Sequence, residues 1–151
     1  MKKILSSVAM LTLGAAFSLG AAAQAKPEDL VKQRKAALTL VAKYFAPVGA
    51  MVQGKAPYDA KVIARNAGYL ETLSAMPWDG FDASTESFRE TRAKPEIYKE
   101  KAKFDQMAND MQGALAKLNA AAKGADQNAV KAAFDDVGKT CKACHDAYRR
   151  D

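Results

Sequence analysis

Histidine occurs once in this chain, tryptophan once and cysteine twice. That scarcity excludes several kinds of chemistry. A structural zinc site takes four ligands, usually from two Cys/His pairs, and no second pair exists. No acid/base constellation points to an enzyme that turns over a substrate. No stretch alternates polar and apolar residues with period two, so strands are not expected. Basic residues form no stripe interleaved with aromatics, as a nucleic-acid surface would require. Beyond the first residues, no run approaches the roughly 20 apolar residues of a membrane span. The mature chain therefore reads as soluble, not membrane-embedded.

The first residues do look like a targeting segment. Lys2 and Lys3 precede an uncharged, mostly apolar run from Ile4 to Leu19, and small residues follow that suit cleavage after Ala23 or Ala25. Residues 1–25 are thus expected to be a cleavable signal peptide, with one domain over residues 26–151. Export points to a bacterial periplasm. Of the formal net charge of +6, Lys2 and Lys3 carry two units. The modest surplus that remains is a solvated surface with a bias toward acidic redox partners.

Alanine, lysine, leucine, glutamate and glutamine dominate the mature chain, a helical composition. Pro27 followed by Glu28 and Asp29 is a helix start. Leu30, Val31, Leu38, Val41, Ala42 and Phe45 then share a stripe. Pro47 is expected to kink or end this helix, with Val48 and Met51 continuing its face to about Gly54. A second helix is expected from the N-cap Asp59 to about Ala75, with Val62, Ile63, Tyr69, Leu70, Leu73 and Met76 as its stripe and Asn66 near an edge or a polar partner. Residues 77–94 form the one long connection, carrying Trp78, Phe81 and Phe88; these plug the end of a core or wall a cofactor pocket. A third helix is expected from Pro95-Glu96 to Gly124, with Met107 and Met111 filling core. The fourth opens at Asp126 and lines up Val130, Phe134, Val137, Cys141, Cys144, His145 and Tyr148. The expected fold is all-α: an antiparallel up-down four-helix bundle.

That last stripe contains Cys141-Lys142-Ala143-Cys144-His145, the pattern of covalent c-type haem attachment. Two thiols add to the two vinyl groups of the porphyrin, and the adjacent histidine reaches iron. On a helix all three side chains lie on one side. A thioredoxin-like dithiol would sit at a helix N-terminus, whereas these cysteines lie several turns in. A simple disulfide would strain the helix and leave His145 unexplained. One haem c per chain, held covalently on the C-terminal helix, is the expected cofactor. Burying about 400 Å² against it would contribute at most about 10 kcal/mol. Arg34, spaced four from Leu30 and Leu38, is either a snorkelling arginine or the partner of a haem propionate. Arg149, four after His145, is either beside the imidazole or an ordinary tail charge.

From about Lys26 onward the chain resembles the cytochrome c-prime family, the class II c-type cytochromes. The resemblance is carried by Lys26-Pro27-Glu28-Asp29, the segment from Arg34 to Leu38, Ala56-Pro57-Tyr58-Asp59, Leu73-Ser74-Ala75-Met76-Pro77-Trp78, Lys94-Pro95-Glu96-Ile97 and Phe134 through Arg149. It implies that Cys141 and Cys144 hold the haem, that His145 is the proximal iron ligand, that Arg34 binds a propionate and that Arg149 lies beside His145. It places Thr91 and Arg92 at the haem edge. Lys35 stands where relatives often carry glutamine. Low-spin relatives put a methionine over the iron; the matching residue here is Leu38. A five-coordinate, high-spin iron follows, with Trp78 and Phe81 completing an apolar distal pocket. Such a pocket offers O₂ no hydrogen bond and suits NO and CO. The implied function is NO or CO binding, with a role in electron transfer among periplasmic redox partners, in NO scavenging, or in both; the alternative is a plain one-electron carrier. The resemblance also implies a homodimer packed through the first two helices.

Overall fold

A computed structural model describes residues 25–124 and 126–150. The segment read as a signal peptide lies, up to Gln24, outside the described residues. Five helices follow: α1 (Pro27–Val52), α2 (Ala60–Ser74), α3 (Glu96–Lys99), α4 (Lys101–Lys123) and α5 (Gln127–Tyr148), with two 3₁₀ turns at Trp78–Phe81 and Ala83–Thr85. In the bundle α1 packs on α2, α2 on α4, α4 on α5 and α5 back on α1. This is the expected four-helix arrangement, with α3 and α4 together as its third rod.

Local chemistry explains most boundaries. Asp59 accepts from the backbone N–H groups of Lys61 (2.9 Å) and Val62 (3.1 Å), and Asp126 from those of Asn128 (2.8 Å) and Ala129 (3.3 Å). Each cap satisfies donors that the first turn leaves open. Helix α1 ends in a left-handed residue, Gly54, at φ 71°. The N–H of Lys55 returns to the Ala50 carbonyl (2.8 Å) and that of Gly54 to Met51 (3.1 Å), closing a Schellman turn that favours glycine.

Of the two outcomes expected at Pro47, an end is not seen: the helix continues past it to Val52, close to the expected Gly54, with Val48 and Gly49 just beyond the proline buried. Three expectations are corrected. The third rod is not continuous. Glu100 adopts φ −111°, ψ 37°, and its carboxylate turns to accept from the Tyr148 hydroxyl at 2.9 Å. The buried stripe of α2 is narrower than expected, running through Ile63, Asn66, Ala67, Leu70 and Ser74. Tyr69 and Met76 are 46% and 54% exposed, because α2 is flanked only by α1 and α4. Asn66 is buried, and among the described residues its Oδ1 has no hydrogen-bond partner.

The core has two parts. The larger joins Val48, Ile63, Leu70, Leu115, Leu118, Val130, Phe134 and Val137, with Cys141 packed against it. Phe134 stacks on Phe45 at 4.3 Å between ring centroids. The smaller joins Phe81, Ile97, Phe104 and Tyr148, with Trp78 and Cys144 against it. Fully burying each large side chain contributes about 1.5–3 kcal/mol. The two cysteines thus mark the junction of the two clusters.

Candidate haem-attachment site

A cavity of about 530 Å³ opens between the end of α1, the 77–94 connection, α4 and α5. Its walls include Arg34, Leu38, Trp78, Phe81, Thr91, Arg92, Cys141, Cys144, His145 and Arg149. These ten residues, singled out from the sequence and the resemblance, therefore meet in one place; Phe88, the third aromatic of the connection, is not in the lining. Lys35, Arg89, Glu90, Ala93, Ile97, Phe104, Met111 and Tyr148 complete the lining. Among these, Ile97, Phe104 and Tyr148 carried a signal, since each sits on an apolar helical stripe; the loop residues Arg89 and Glu90 carried none.

Helix α5 presents the motif. Cys141 and Cys144 are free and half-buried. Burial pushes both thiols above their ordinary pKa, and the nearby Cys141 adds to the effect at Cys144. His145 is exposed toward the cavity mouth. Burial of part of the ring, then Arg149 and Arg92, lower its pKa, against a smaller opposing effect of Asp146. The arginine Nη1 lies 3.2 Å from Nδ1 and 3.4 Å from Nε2. These effects favour neutral imidazole, the form that binds a metal.

The end of α5 is fastened with unusual completeness. A helix leaves four terminal carbonyls without helical partners. Here His145 O accepts from Arg149 N at 3.0 Å, and Tyr148 O from Lys94 N at 2.9 Å. The carbonyls of Asp146 and Ala147 accept from Lys94 Nζ at 3.0 and 3.2 Å. An antiparallel bridge between Ala93 and Arg149 and a bond from Arg150 N to Arg92 O (2.8 Å) complete the seam. The connection that carries Thr91 and Arg92 is thereby stitched to the helix that carries the motif.

Across the cavity, Arg34 is only 1% exposed. Its Nη1 donates to Gly80 O (2.6 Å), Thr85 Oγ1 (3.0 Å) and Tyr98 Oη (3.3 Å), and its Nη2 to Thr91 Oγ1 (3.2 Å). The guanidinium also sits 4.4 Å from the Phe81 ring centroid. Among the described residues no carboxylate pairs with it. A buried cation held only by neutral groups is costly unless an anion approaches it. Leu38 is 37% exposed, a large apolar side chain turned into the cavity rather than the core. Trp78 donates its Nε1–H to Ser74 O (2.6 Å) and meets Phe104 edge-on, leaving an aromatic wall.

The residues present fit a haem. The volume lies in the range of cofactor pockets, the walls are apolar, two thiols and an imidazole share one helix, and a buried guanidinium awaits an acid group. A helical bundle with such a site on its last helix defines a c-type cytochrome of the bundle class.

The comparisons narrow the class. The family described as Cytochrome C' matches residues 29–149. Cytochrome c' of Alcaligenes xylosoxydans xylosoxydans is 49% identical over 126 residues, covering 83% of this chain and 97% of the relative. The crystal structure of cytochrome c' from Rubrivivax gelatinosus superposes with a TM-score of 0.80 at 42% identity, over 83% of this chain and 98% of that one. A nitric oxide complex of a mutant cytochrome c prime from Alcaligenes xylosoxidans gives a TM-score of 0.77 at 47% identity, over 84% and 98% of the two chains. The chain belongs to the cytochrome c-prime family, itself a standing example of the up-down bundle. Its cofactor is haem c, covalently attached, one per chain.

Proposed function

We propose that this chain is an exported periplasmic haem protein that binds NO and CO and passes single electrons. Cys141 and Cys144 would hold the porphyrin by thioether bonds, and His145 would be the sole protein ligand to iron. The haem supplies a one-electron couple and an open coordination position for a small gas. The protein supplies the rest: an apolar wall from Trp78 and Phe81, a buried cation from Arg34, and a neutral imidazole held beside Arg149. Thr91 and Arg92 would contact the haem edge from the stitched connection.

The observation that carries this reading is Leu38. It lines the same cavity as His145, has no donor atom, and belongs to a chain with no second histidine. The α1 residue at the ligand position therefore offers iron no donor atom, which favours a five-coordinate, high-spin centre. Met111 also lines the cavity, yet it is buried in the larger core cluster, which commits its thioether to packing. An apolar distal side gives bound O₂ no hydrogen bond, whereas NO and CO need none. The nitric oxide complex of the related Alcaligenes protein supports the same choice of ligand.

Two further parts of the reading have their own support. Lys2, Lys3 and the apolar run after them favour export by a cleaved signal peptide. Leu40 and Tyr69 are large exposed hydrophobics on α1 and α2, bridged by Tyr44, whose ring lies 5.0 Å from that of Tyr69. That patch suits a homodimer packed through these helices. The test of the central reading is the optical and EPR spectrum of the purified holoprotein, ferrous and ferric, with and without NO and CO. A high-spin, five-coordinate ferrous haem that takes up both gases is expected. A low-spin spectrum with a methionine–iron charge-transfer band would overturn it and leave a plain electron carrier.

A further inference from the structure

The proton count around Arg34 goes further than its burial. Thr85 Oγ1 has one proton and faces Asp82 O at 2.7 Å, Tyr98 Oη at 2.8 Å and Gly80 O at 3.4 Å. It accepts from Arg34 Nη1 at 3.0 Å, and in the contact with Tyr98 either hydroxyl can donate. Nη1 has two protons for three acceptors, so Tyr98 Oη, the farthest at 3.3 Å, shares one with Gly80 O or Thr85 Oγ1. The cluster thus ties Tyr98 and Thr85 to each other and both to one end of the guanidinium. On the other arm, Thr91 Oγ1 accepts from Arg34 Nη2 and from Ala93 N, both at 3.2 Å. A hydroxyl has two acceptor sites and one proton. Both sites are filled, so the Thr91 O–H is free to donate, and Thr91 lines the cavity.

Backbone shape enforces the same arrangement. A Cβ at Gly80 would lie 2.6 Å from Arg34 Cβ and 2.7 Å from Leu30 O, well inside any tolerated contact. Only glycine lets the 3₁₀ turn come close enough for its carbonyl to reach the guanidinium at 2.6 Å.

Resting on the reading of Arg34 as the partner of a haem carboxylate, we propose that Tyr98 and Gly80 are positioning residues for that recognition. With Thr85 they fix one edge of the guanidinium, so that its remaining N–H groups and the Thr91 hydroxyl proton converge on a single carboxylate. The fork then meets the acid group with no side-chain entropy left to lose. Tyr98 touches no cofactor in this scheme; it acts through Arg34. The other charges lining the cavity, Lys35, Arg89, Glu90, Arg92, Arg149 and His145, are unchanged by substitution at Tyr98 and form a constant background.

The test is the reduction potential of the holoprotein as a function of pH, with haem content and thermal unfolding measured beside it. An aligned guanidinium keeps the carboxylate ionised to lower pH. Arg34→Leu should move the acid break in the profile upward by about one pH unit. Tyr98→Phe, which adds no bulk, should move it the same way although the guanidinium remains, and Gly80→Ala should do likewise. Thr91→Val should match them, with Thr91→Ser restoring the wild-type profile. If Arg34→Leu moves the break and Tyr98→Phe leaves it in place, the positioning role is refuted while the reading of Arg34 stands. If Arg34→Leu itself moves nothing, the carboxylate reading falls and the inference with it. Should Gly80→Ala fail to take up haem, Tyr98→Phe and the Thr91 pair decide the matter.

Discussion

Replacing Lys94 by methionine removes one ammonium group and keeps the apolar stem and the backbone. In the native protein that ammonium satisfies the Asp146 and Ala147 carbonyls at 3.0 and 3.2 Å. It also sets a positive charge at the negative end of α5. Two hydrogen bonds at a half-exposed site are worth roughly 0.5–1.5 kcal/mol each, and the dipole interaction about 0.3–1 kcal/mol. The carbonyls can turn to water, which discounts the sum to about 1–2 kcal/mol. The loss should be local, because the main-chain bonds of the seam, Lys94 N to Tyr148 O and Arg150 N to Arg92 O, survive. Native-state hydrogen exchange of the holoprotein reads this directly. The Arg149 amide, bonded to His145 O at 3.0 Å, should exchange about tenfold faster, since about 1.4 kcal/mol is a factor of ten. Amides in the middle of α4 should not change. Equal acceleration in both helices, or none in either, would refute the claim that Lys94 clamps the end of the motif helix.

Other outcomes follow from the same structure. Burial, and then the Glu100 carboxylate, push the Tyr148 phenol up to about 12, so the folded state holds this proton more tightly than the unfolded chain. That stability is complete below about pH 10, the unfolded tyrosine value, and is lost as pH rises toward 12. Tyr148→Phe should lack this alkaline loss in urea unfolding; parallel decline of the two proteins would contradict the assignment. Asp126→Ala removes the cap of α5 and should cost about 1 kcal/mol in denaturant midpoint with an unchanged optical spectrum. Leu38→Ala clears the cavity side of α1 and should speed CO association in flash photolysis without altering the optical spectrum of the unliganded ferrous protein; an unchanged rate would show that Leu38 is not the barrier.

The parts legible in the sequence are those governed by neighbours along the chain. The caps at Asp59 and Asp126, the start at Pro27 and the motif on α5 all depend on residues within a turn or two. The cavity lining was legible for a related reason: helical periodicity puts Leu38, Cys141, Cys144 and His145 on inward faces whatever the loops do. What sequence hid depends on distant partners. The break at Glu100 answers a hydroxyl 48 positions away, and no local pattern announces it. Nothing along the chain marks Tyr98, whose partners are Arg34 and Thr85. The width of the α2 stripe is set by how many helices flank it, so Tyr69 and Met76 could not be placed outside from periodicity alone.

The two raised thiol pKa values bear on maturation. Thiolate is the form that attacks disulfides and is oxidised, and burial shifts Cys141 and Cys144 further toward the thiol. Docking of α5 onto the two core clusters therefore makes both sulfurs poorer nucleophiles in the folded chain, which slows their cross-linking before the pigment is attached.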